Sequence, residues 1–575
     1  MPNHCVTSRV HNSLIGAIAA LYATSCATPL ATSYLQLAAA LSLVMAPLPI
    51  VVAQPFVIER VMGSWEPVPG AEEFTWGGLA GAQIDDSGTV MFVGAWTLIN
   101  GGVFAGTPGH VEPIIVTLTQ APGAPWPAPY NQFQYFPPST PSLSESGFAA
   151  IRASIGNMPF SSSGGLYAGS LDNLDPVIFY GPANSQLPGQ SAPGQPDYIV
   201  SGFTYPLTSS NGHVAYGGAL YPRYNGPATT SVTAGTPGNL EVLGAPGLPV
   251  EPIPGATYVV AGSNALSMSD AGHVIFEAQI EGEVVAPGSS IGLFLHGPDG
   301  LQVAARQQSQ VPNMPTGVVF NSFAPLASVS ATGSVEFIAS VEGPGVNSTN
   351  NWALWAGPPD DLHAAVREGD TTLGMPPGLE VDGVSRSTIN DQDHILARGS
   401  LRGQGVDGSN DQAIWMGPLD APAMIFREGN LAFGMPAGVV FAFTSSSDTT
   451  SLSAPGYVFN DSGDVLLHAS VAGPGIGPAN NVGLWFYEAD TAAWSLVLRE
   501  GDIVDNRAIK SINAFFNWES GYFHSFADDG SFALDLLFTD SERGVYRVTV
   551  PEPSAIVVLF MGLCALRRAP RAWKS

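Results

Sequence analysis

Acidic and amide side chains recur in short turns along this chain, and clustered carboxylates are the ligands that Ca²⁺ prefers. Six aspartates from three of these turns are the best candidates: Asp85, Asp86, Asp461, Asp464, Asp528 and Asp529. None of the turns has the spacing of an EF-hand loop or its distal glutamate. Asp, Asn, Ser and Gly are also the residues that close tight hairpins. The pattern therefore favours hairpin turns and leaves calcium as an alternative for the same residues.

Sequence patterns of known catalytic centres do not fit this chain. One Gly-x-Ser-x-Gly string runs from Gly288 to Gly292, but a nucleophile elbow needs a strand before the serine and a helix after it. The sequence has no His-Glu-x-x-His metal motif and no Walker loop. His213, His273 and His394 occupy the same place after three turns, as repeat surface positions do. We therefore predict no enzymatic activity and no cofactor, although a carboxylate pair that cleaves glycosidic bonds stays open because it is defined by geometry.

The acidic turns belong to a unit that recurs eight times. The first copy reads Asp85-Asp86-Ser87-Gly88 and leads into an alternating apolar strand pattern. The copies begin at Asp85, Ser144, Ser209, Ser269, Ser330, Asn390, Asn460 and Ala527. Their fourth position is glycine in seven copies and Asp393 in the other, and successive copies are 59 to 70 residues apart. Self-similarity at this length is typical of a propeller or a solenoid.

Two further strand patterns complete each unit. A Gly-apolar-aromatic strand follows the turn, as in 353–357, and a strand that ends in Arg-Glu-Gly comes next, as in 366–369. Trp355, Trp415 and Trp485 could stack on sugars, but their regular place in the repeat favours a core between blades. The charged Arg-Glu-Gly turns could face a ligand, but they more simply end a strand or join neighbouring units.

The phase of the repeat at its two ends predicts how the fold closes. The repeat region begins with the third pattern, at 56–60, and ends with the second, at 544–550. Pairing these two strands would complete the last unit and leave few free edges. We therefore predict an all-β fold: a propeller of about eight four-stranded blades over residues 54–550. A row of β-sandwiches or an open β-solenoid is the alternative.

Composition narrows the function classes. The chain of 575 residues carries 47 acidic and 19 basic side chains, and only two of the basic ones are lysines. Because no basic stripe is present to neutralise phosphates, we expect no nucleic-acid partner. The three cysteines, Cys5, Cys26 and Cys564, all lie outside 54–550. We therefore expect the repeat region to be stabilised without disulfides and without thiolate metal sites.

The N-terminal segment has the composition of an export signal. Residues 1–53 contain no Asp or Glu, carry Arg9, and have two largely apolar stretches. They end in Val51-Val52-Ala53, which loosely fits the small-residue rule for signal peptidase. We predict that 1–53 is a signal peptide removed by signal peptidase on export.

The C-terminal segment, 551–575, resembles the PEP-CTERM sorting signal of bacterial exported proteins. Pro551-Glu552-Pro553-Ser554 precedes an uncharged apolar run, and Arg567, Arg568 and Arg571 follow that run. Such arginines stay on the cytoplasmic side while the apolar helix stops in the bilayer. The run of 12 residues would span only ~18 Å as a helix, against ~30 Å of hydrocarbon. The resemblance implies processing near 551–553 by an exosortase-type protease.

The repeats are also similar to tandem NxxGxxAF-like repeats found beside such signals, a resemblance that implies no established activity. We therefore predict an exported bacterial protein, transiently anchored in the membrane and then surface-bound or extracellular. It would act as a binding or structural module of the biofilm matrix, with extracellular polysaccharide as a partner. The alternative is a polysaccharide hydrolase or lyase built on a propeller.

Overall fold

A computed structural model describes the chain from Phe56 to Val550. Ten short internal segments are outside the description: 98–99, 126–131, 136–140, 157–162, 182–190, 193–194, 204–205, 223–228, 443–455 and 514–524. The predicted signal peptide and the sorting segment lie outside the described residues. The described residues are strands and turns, and none of them forms a helix that could cross a membrane.

The strands fall into eight sheets and one small hairpin. Blade 1 contains β4 Gly78–Ile84, β5 Val90–Ala95, β6 Gly101–Thr107 and β7 His110–Val116, and blade 2 contains β8 Phe133–Tyr135, β9 Pro141–Leu143, β10 Phe148–Ile155, β11 Gly164–Ser170 and β12 Asn173–Tyr180. Blade 3 contains β13 Ser191–Ala192, β14 Gln195–Phe203, β15 Leu207–Thr208, β16 Val214–Pro222, β17 Thr229–Thr236 and β18 Asn239–Gly244. Blade 4 contains β19 Thr257–Met268, β20 Val274–Glu281, β21 Ile291–Gly297 and β22 Gly300–Arg306.

Blades 5 to 8 continue in the same order. Blade 5 contains β23 Val319–Val329, β24 Val335–Glu342, β25 Trp352–Gly357 and β26 His363–Arg367, and blade 6 contains β27 Leu379–Ile389, β28 His394–Gly403, β29 Gln412–Pro418 and β30 Ala423–Arg427. Blade 7 contains β31 Val440–Phe441, β32 Gly456–Phe459, β33 Val465–Ala472, β34 Val482–Glu488 and β35 Ala493–Arg499. Blade 8 contains β36 Ile503–Val504, β37 Arg507–Asn513, β38 Phe532–Phe538, β39 Arg543–Thr549 and, from the other end of the domain, β1 Val57–Gly63. The hairpin is β2 Pro67–Val68 with β3 Ala71–Thr75.

The architecture is an eight-bladed β-propeller, and the predicted fold class is confirmed. Each blade is an antiparallel meander whose first strand is innermost and whose fourth strand is outermost. The recurrent turn joins the first strand to the second in every blade, so all eight turns lie on one face, which we call the turn face. The strands that end in Arg-Glu-Gly are the outer strands β26, β30 and β35.

Alternating apolar residues build the cores between blades. Ile338 and Leu354 of blade 5 pack with Ile395 and Trp415 of blade 6, and all four are buried. Trp355 and Trp485 are likewise fully buried in neighbouring cores. These three tryptophans therefore have no exposed ring face on which a sugar could stack.

The closing blade combines both ends of the domain, as the phase of the repeat predicts. β1 pairs with β39 from Val57 opposite Thr549 to Gly63 opposite Gly544. Arg60 extends the contact beyond the ladder, since its guanidinium donates to Asp505 at 2.5 Å. Because the outer strand of blade 8 is covalently continuous with blade 1, this pairing closes the ring.

Asp393 departs from the repeat and gives a first prediction. It stands at the glycine position with a φ of 58°, which Asp tolerates better than most residues. Its carboxylate accepts hydrogen bonds from Ser330 Oγ at 2.6 Å and Thr332 Oγ1 at 2.9 Å, in the neighbouring blade. We expect Asp393→Gly, which restores the repeat consensus, to lower the free energy of unfolding by about 1 kcal/mol. The two hydrogen bonds lost from the carboxylate should cost more than is gained by relieving backbone strain at the positive φ.

Urea unfolding would measure this change. Asp393→Asn is the matched control, because it keeps one acceptor oxygen and tolerates the same φ. It should lose less stability than Asp393→Gly, and a glycine variant that is more stable than the parent would contradict the account.

Candidate functional site

The eight turns of the turn face have one backbone geometry. In each, the N–H of position one donates to the carbonyl of position five, and the N–H of position four donates to the carbonyl of position one. In the first turn, for example, the N–H of Gly88 donates to the carbonyl of Asp85 at 2.9 Å. Gly88 has a φ of 80°. A side chain at position four would be strained at that φ, which explains the recurrent glycine.

Position one completes the turn with its side chain. Asp85 Oδ1 accepts the N–H of Thr89 at 2.8 Å, and Asn460 Oδ1 accepts the N–H of Asp464 at 2.9 Å. Blade 8 has Ala527 at position one, which offers no acceptor. There Asp529, two residues later, accepts the N–H of Ser531 at 2.7 Å instead. These polar groups are part of the hairpin, as turn chemistry predicts.

Polar side chains at position two link turns of different blades around the propeller axis. Asp461 Oδ1 accepts the N–H of Asp391 at 2.8 Å, and Asp528 Oδ1 accepts the N–H of Asp461 at 2.8 Å. Asp86 Oδ1 accepts the N–H of Asp528 at 3.1 Å, across the junction between the last blade and the first. The N–H of Asp86 in turn donates to the carbonyl of Glu145 at 3.0 Å.

The other half of the circle has fewer carboxylates. Ser210 stands at position two of blade 3 and donates to Asp270 Oδ2 at 2.7 Å. Ala331 stands there in blade 5, so the carboxylate of Asp391 reaches past it and accepts the N–H of Asp270 at 3.1 Å. The result is a ring of six acidic side chains, which we call the acidic ring: Asp86, Glu145, Asp270, Asp391, Asp461 and Asp528.

Crowding and burial shift the protonation of the acidic ring. Burial, together with a hydrogen bond to Asp270 and the nearby charges of Asp270, Asp528 and Asp461, raises the pKa of Glu145 well above its usual range. Burial, reinforced by Asp270 and Asp461, raises the pKa of Asp391 to about 7. The ring therefore holds protons at a pH where isolated carboxylates have lost them.

Three ring members also come close enough to share a cation. Carboxylate oxygens of Asp86, Glu145 and Asp528 lie within 4.8 Å of one another. Ca²⁺ takes six to eight oxygen ligands, so a calcium ion at this place would need water or bidentate carboxylates as well. Protons and a divalent cation are thus two ways of relieving the same repulsion.

The six aspartates singled out in the sequence divide into two groups. Asp86, Asp461 and Asp528 stand at position two and belong to the acidic ring. Asp85 and Asp529 accept backbone N–H groups within their own turns, and Asp464 Oδ1 accepts the N–H of Ala489 at 2.9 Å.

Sequence reasoning missed Glu145, Asp270 and Asp391 as members of the same site. The signal was present in the repeat alignment, because position two is acidic in six of the eight copies. Calcium binding remains an alternative, which the sequence offered for six residues: Asp85, Asp86, Asp461, Asp464, Asp528 and Asp529.

The acidic ring gives a second prediction, on pH. Asp391 is protonated more readily when folded than when unfolded, so its contribution to stability is complete below pH ~4 and is lost as the pH rises toward 7. Asn at this position keeps an acceptor for the N–H of Asp270 and carries no charge. We expect the stability gain of Asp391→Asn over the parent to grow between pH 4 and 7 and to be constant above that.

Urea unfolding at several pH values would measure the gain. Asp420→Asn, which removes an exposed carboxylate from a loop on the same face, is the control and should run parallel to the parent. Equal curves for Asp391→Asn and the parent would contradict a raised pKa at Asp391.

The other chemical candidates have structural roles in the described residues. Ser289 is buried, and its hydroxyl donates to the carbonyl of Ala286 at 2.7 Å, so it closes a loop between strands. His213, His273 and His394 are half-buried beside three different turns. Residues 551–554 and the basic tail at Arg567, Arg568 and Arg571 lie outside the described residues.

A shallow cleft of about 350 Å³ lies apart from the turns, beside the outer strand of the closing blade. It is lined by Arg60, Val61, Met62, Glu66, Pro69, Gly109 and Val111. Arg60 and Glu66 form an ion pair across it at 3.0 Å. The cleft therefore contains structural contacts of the closing blade.

Comparison with protein families places most of these blades in one group. The model of a family of unknown function, DUF7453, matches residues 186–557, which is more than half of the chain. The chain belongs to the DUF7453 family. The match begins in blade 3 and runs through the closing blade, and it contains four of the six carboxylates of the acidic ring: Asp270, Asp391, Asp461 and Asp528. No curated protein matches this DUF7453 chain in sequence.

Solved structures similar to this DUF7453 member are distant. An oligogalacturonate lyase in complex with manganese has 10% identity, with 74% of this chain and 95% of that chain covered, at a TM-score of 0.35. The Dos1 propeller has 9% identity, with 85% and 94% covered, at a TM-score of 0.35. An acylaminoacyl peptidase from Pyrococcus horikoshii has 7% identity, with 80% and 57% covered, at a TM-score of 0.37. At such scores these likenesses carry no argument about chemistry.

Proposed function

We propose that this DUF7453 protein is an exported, non-catalytic propeller that acts as a binding or structural module at the bacterial surface or in the extracellular matrix. Signal peptidase would remove 1–53, and an exosortase-type protease would process the chain near Pro551-Glu552-Pro553. Extracellular polysaccharide is the proposed ligand class.

One observation supports a binding or structural role over catalysis. The acidic side chains that meet on the turn face all come from the same position of the repeated hairpin. Asp86, Asp461 and Asp528 accept backbone N–H groups of adjacent turns, and Asp391 accepts the N–H of Asp270 two blades away. Carboxylates held in this way join blades to one another. A glycoside hydrolase would instead need two acids that flank the scissile bond at a separation fixed by its mechanism.

Binding and cleavage can be separated in one experiment. The purified full chain would be titrated with soluble acidic and neutral polysaccharides, and the same mixtures would be assayed for new reducing ends and for unsaturated ends. We expect retention of at least one polysaccharide without either product. Depolymerisation would overturn the proposal and favour the alternative of a polysaccharide hydrolase or lyase.

The sorting step has its own test. Alanine substitution of Pro551, Glu552 and Pro553 should leave the chain unprocessed in cells that contain the sorting protease. Alanine substitution of Pro298 and Asp299, in an exposed turn between β21 and β22, is the control and should be processed normally. Unchanged processing of the first variant would count against the C-terminal signal.

A further inference from the structure

Both ends of the propeller domain lie on the turn face. β39 is the third strand of blade 8, so it runs toward the face that carries the turns. Val550 follows it and packs against the turn of its own blade, with Cγ2 3.6 Å from the place of a Cβ on Gly530. β1 runs antiparallel to β39, and Val57, at its start, is opposite Thr549.

The segment that joins Val550 to the apolar run is short. Only four residues, 551–554, separate Val550 from the apolar run that begins at Ala555. Fully extended, four residues span about 14 Å. Two of the four are prolines, whose fixed φ restricts folding back. Whatever holds the apolar run therefore holds the turn face close to it.

We propose that the turn face, with its acidic ring, is the surface that faces the lipid headgroups while the chain is anchored by 555–566. This inference rests on the sorting step of the proposed function and on the transient membrane anchoring expected from the sequence. The opposite face, which carries loops such as the one between β33 and β34, would point away from the bilayer. Strands of seven residues, such as β38, separate the two faces by about 23 Å.

The orientation has an electrostatic consequence. Anionic headgroups would lie within about two Debye lengths of the acidic ring at physiological salt, where the Debye length is ~8 Å. At that distance salt screens most of the repulsion, and like charges offer no attraction, so the turn face would be held near the membrane by the tether alone. The ring would then be accessible to divalent cations at the membrane surface.

Energy transfer to the bilayer tests the orientation. Cys5, Cys26 and Cys564 would be replaced by serine, and one cysteine would be introduced by Thr491→Cys on the turn face or by Ala479→Cys on the opposite face. Both positions are exposed loop residues of blade 7. The full chain would be reconstituted in phosphatidylethanolamine and phosphatidylglycerol vesicles that contain a headgroup-linked acceptor. We expect strong transfer from a donor at 491 and at least several-fold weaker transfer from 479.

The outcomes separate this inference from the proposed function. A chain that does not float with the vesicles would overturn membrane anchoring and the orientation together. A chain that floats but shows equal transfer from the two positions, or stronger transfer from 479, would overturn the orientation alone. Insertion of about twenty Gly and Ser residues after Val550 should make the transfer efficiencies from positions 491 and 479 similar. If the two efficiencies still differ after the insertion, the short tether is not the cause of the orientation.

Discussion

Deletion of residues 56–66 should lower the free energy of unfolding by about 5–10 kcal/mol and leave a chain that self-associates. The deleted segment buries Val61 and Met62 in the core between blades 8 and 1, and it packs Trp65 against Phe538. Each such side chain is worth about 1.5–3 kcal/mol when fully buried. Loss of β1 also exposes the hydrogen-bonding edge of β39, which is a template for pairing with another chain.

A peptide supplied in trans makes this test specific. A synthetic peptide of residues 54–68 should restore the melting temperature of the deleted chain in a concentration-dependent way, because it binds only the folded state. The same peptide with Val61→Asp and Met62→Asp is the matched control and should restore nothing. Thermal unfolding and light scattering would report both effects, and a deleted chain as stable as the parent would refute ring closure by β1.

Trp415→Ala should cost about 3–5 kcal/mol of unfolding free energy, the range for removal of a large buried aromatic side chain. Trp415 is fully buried between blades 5 and 6, where it packs against Leu354 and Ile395. Its indole N–H also donates to Thr372 Oγ1 at 2.6 Å, which would be left without this donor. A cavity and the loss of this hydrogen bond would therefore add to the lost burial.

Trp494→Ala is the matched control for this substitution. Trp494 is half-buried in an outer strand and lies parallel to Phe433, with centroids 6.1 Å apart. Because its ring is partly exposed already, we expect less than half the loss seen at Trp415. Urea unfolding would rank the two variants, and equal losses would contradict the larger cost expected for the fully buried ring of Trp415.

The sequence by itself determined the fold class, for a reason visible in single positions. Gly88 and its equivalents mark hairpins because a positive φ excludes most side chains. The phase of the strand patterns showed that 56–60 and 544–550 lacked partners in their own parts of the chain. Pairing of these two strands completes the last blade, and the ladder of β1 with β39 confirms it. Such local constraints repeat eight times, so each copy strengthens the others.

The tertiary structure decided which acidic residues meet. Asp85 and Asp86 are neighbours in the sequence, yet Asp85 accepts an N–H of its own turn while Asp86 accepts one from the turn of blade 8. That difference depends on where each side chain lies relative to the propeller axis. The raised pKa of Asp391 likewise arises from burial and from the charges of Asp270 and Asp461, which are 121 and 70 residues away. Burial and charge act through space, so the turn pattern fixed each hairpin, and only closure of the ring brought the carboxylates together.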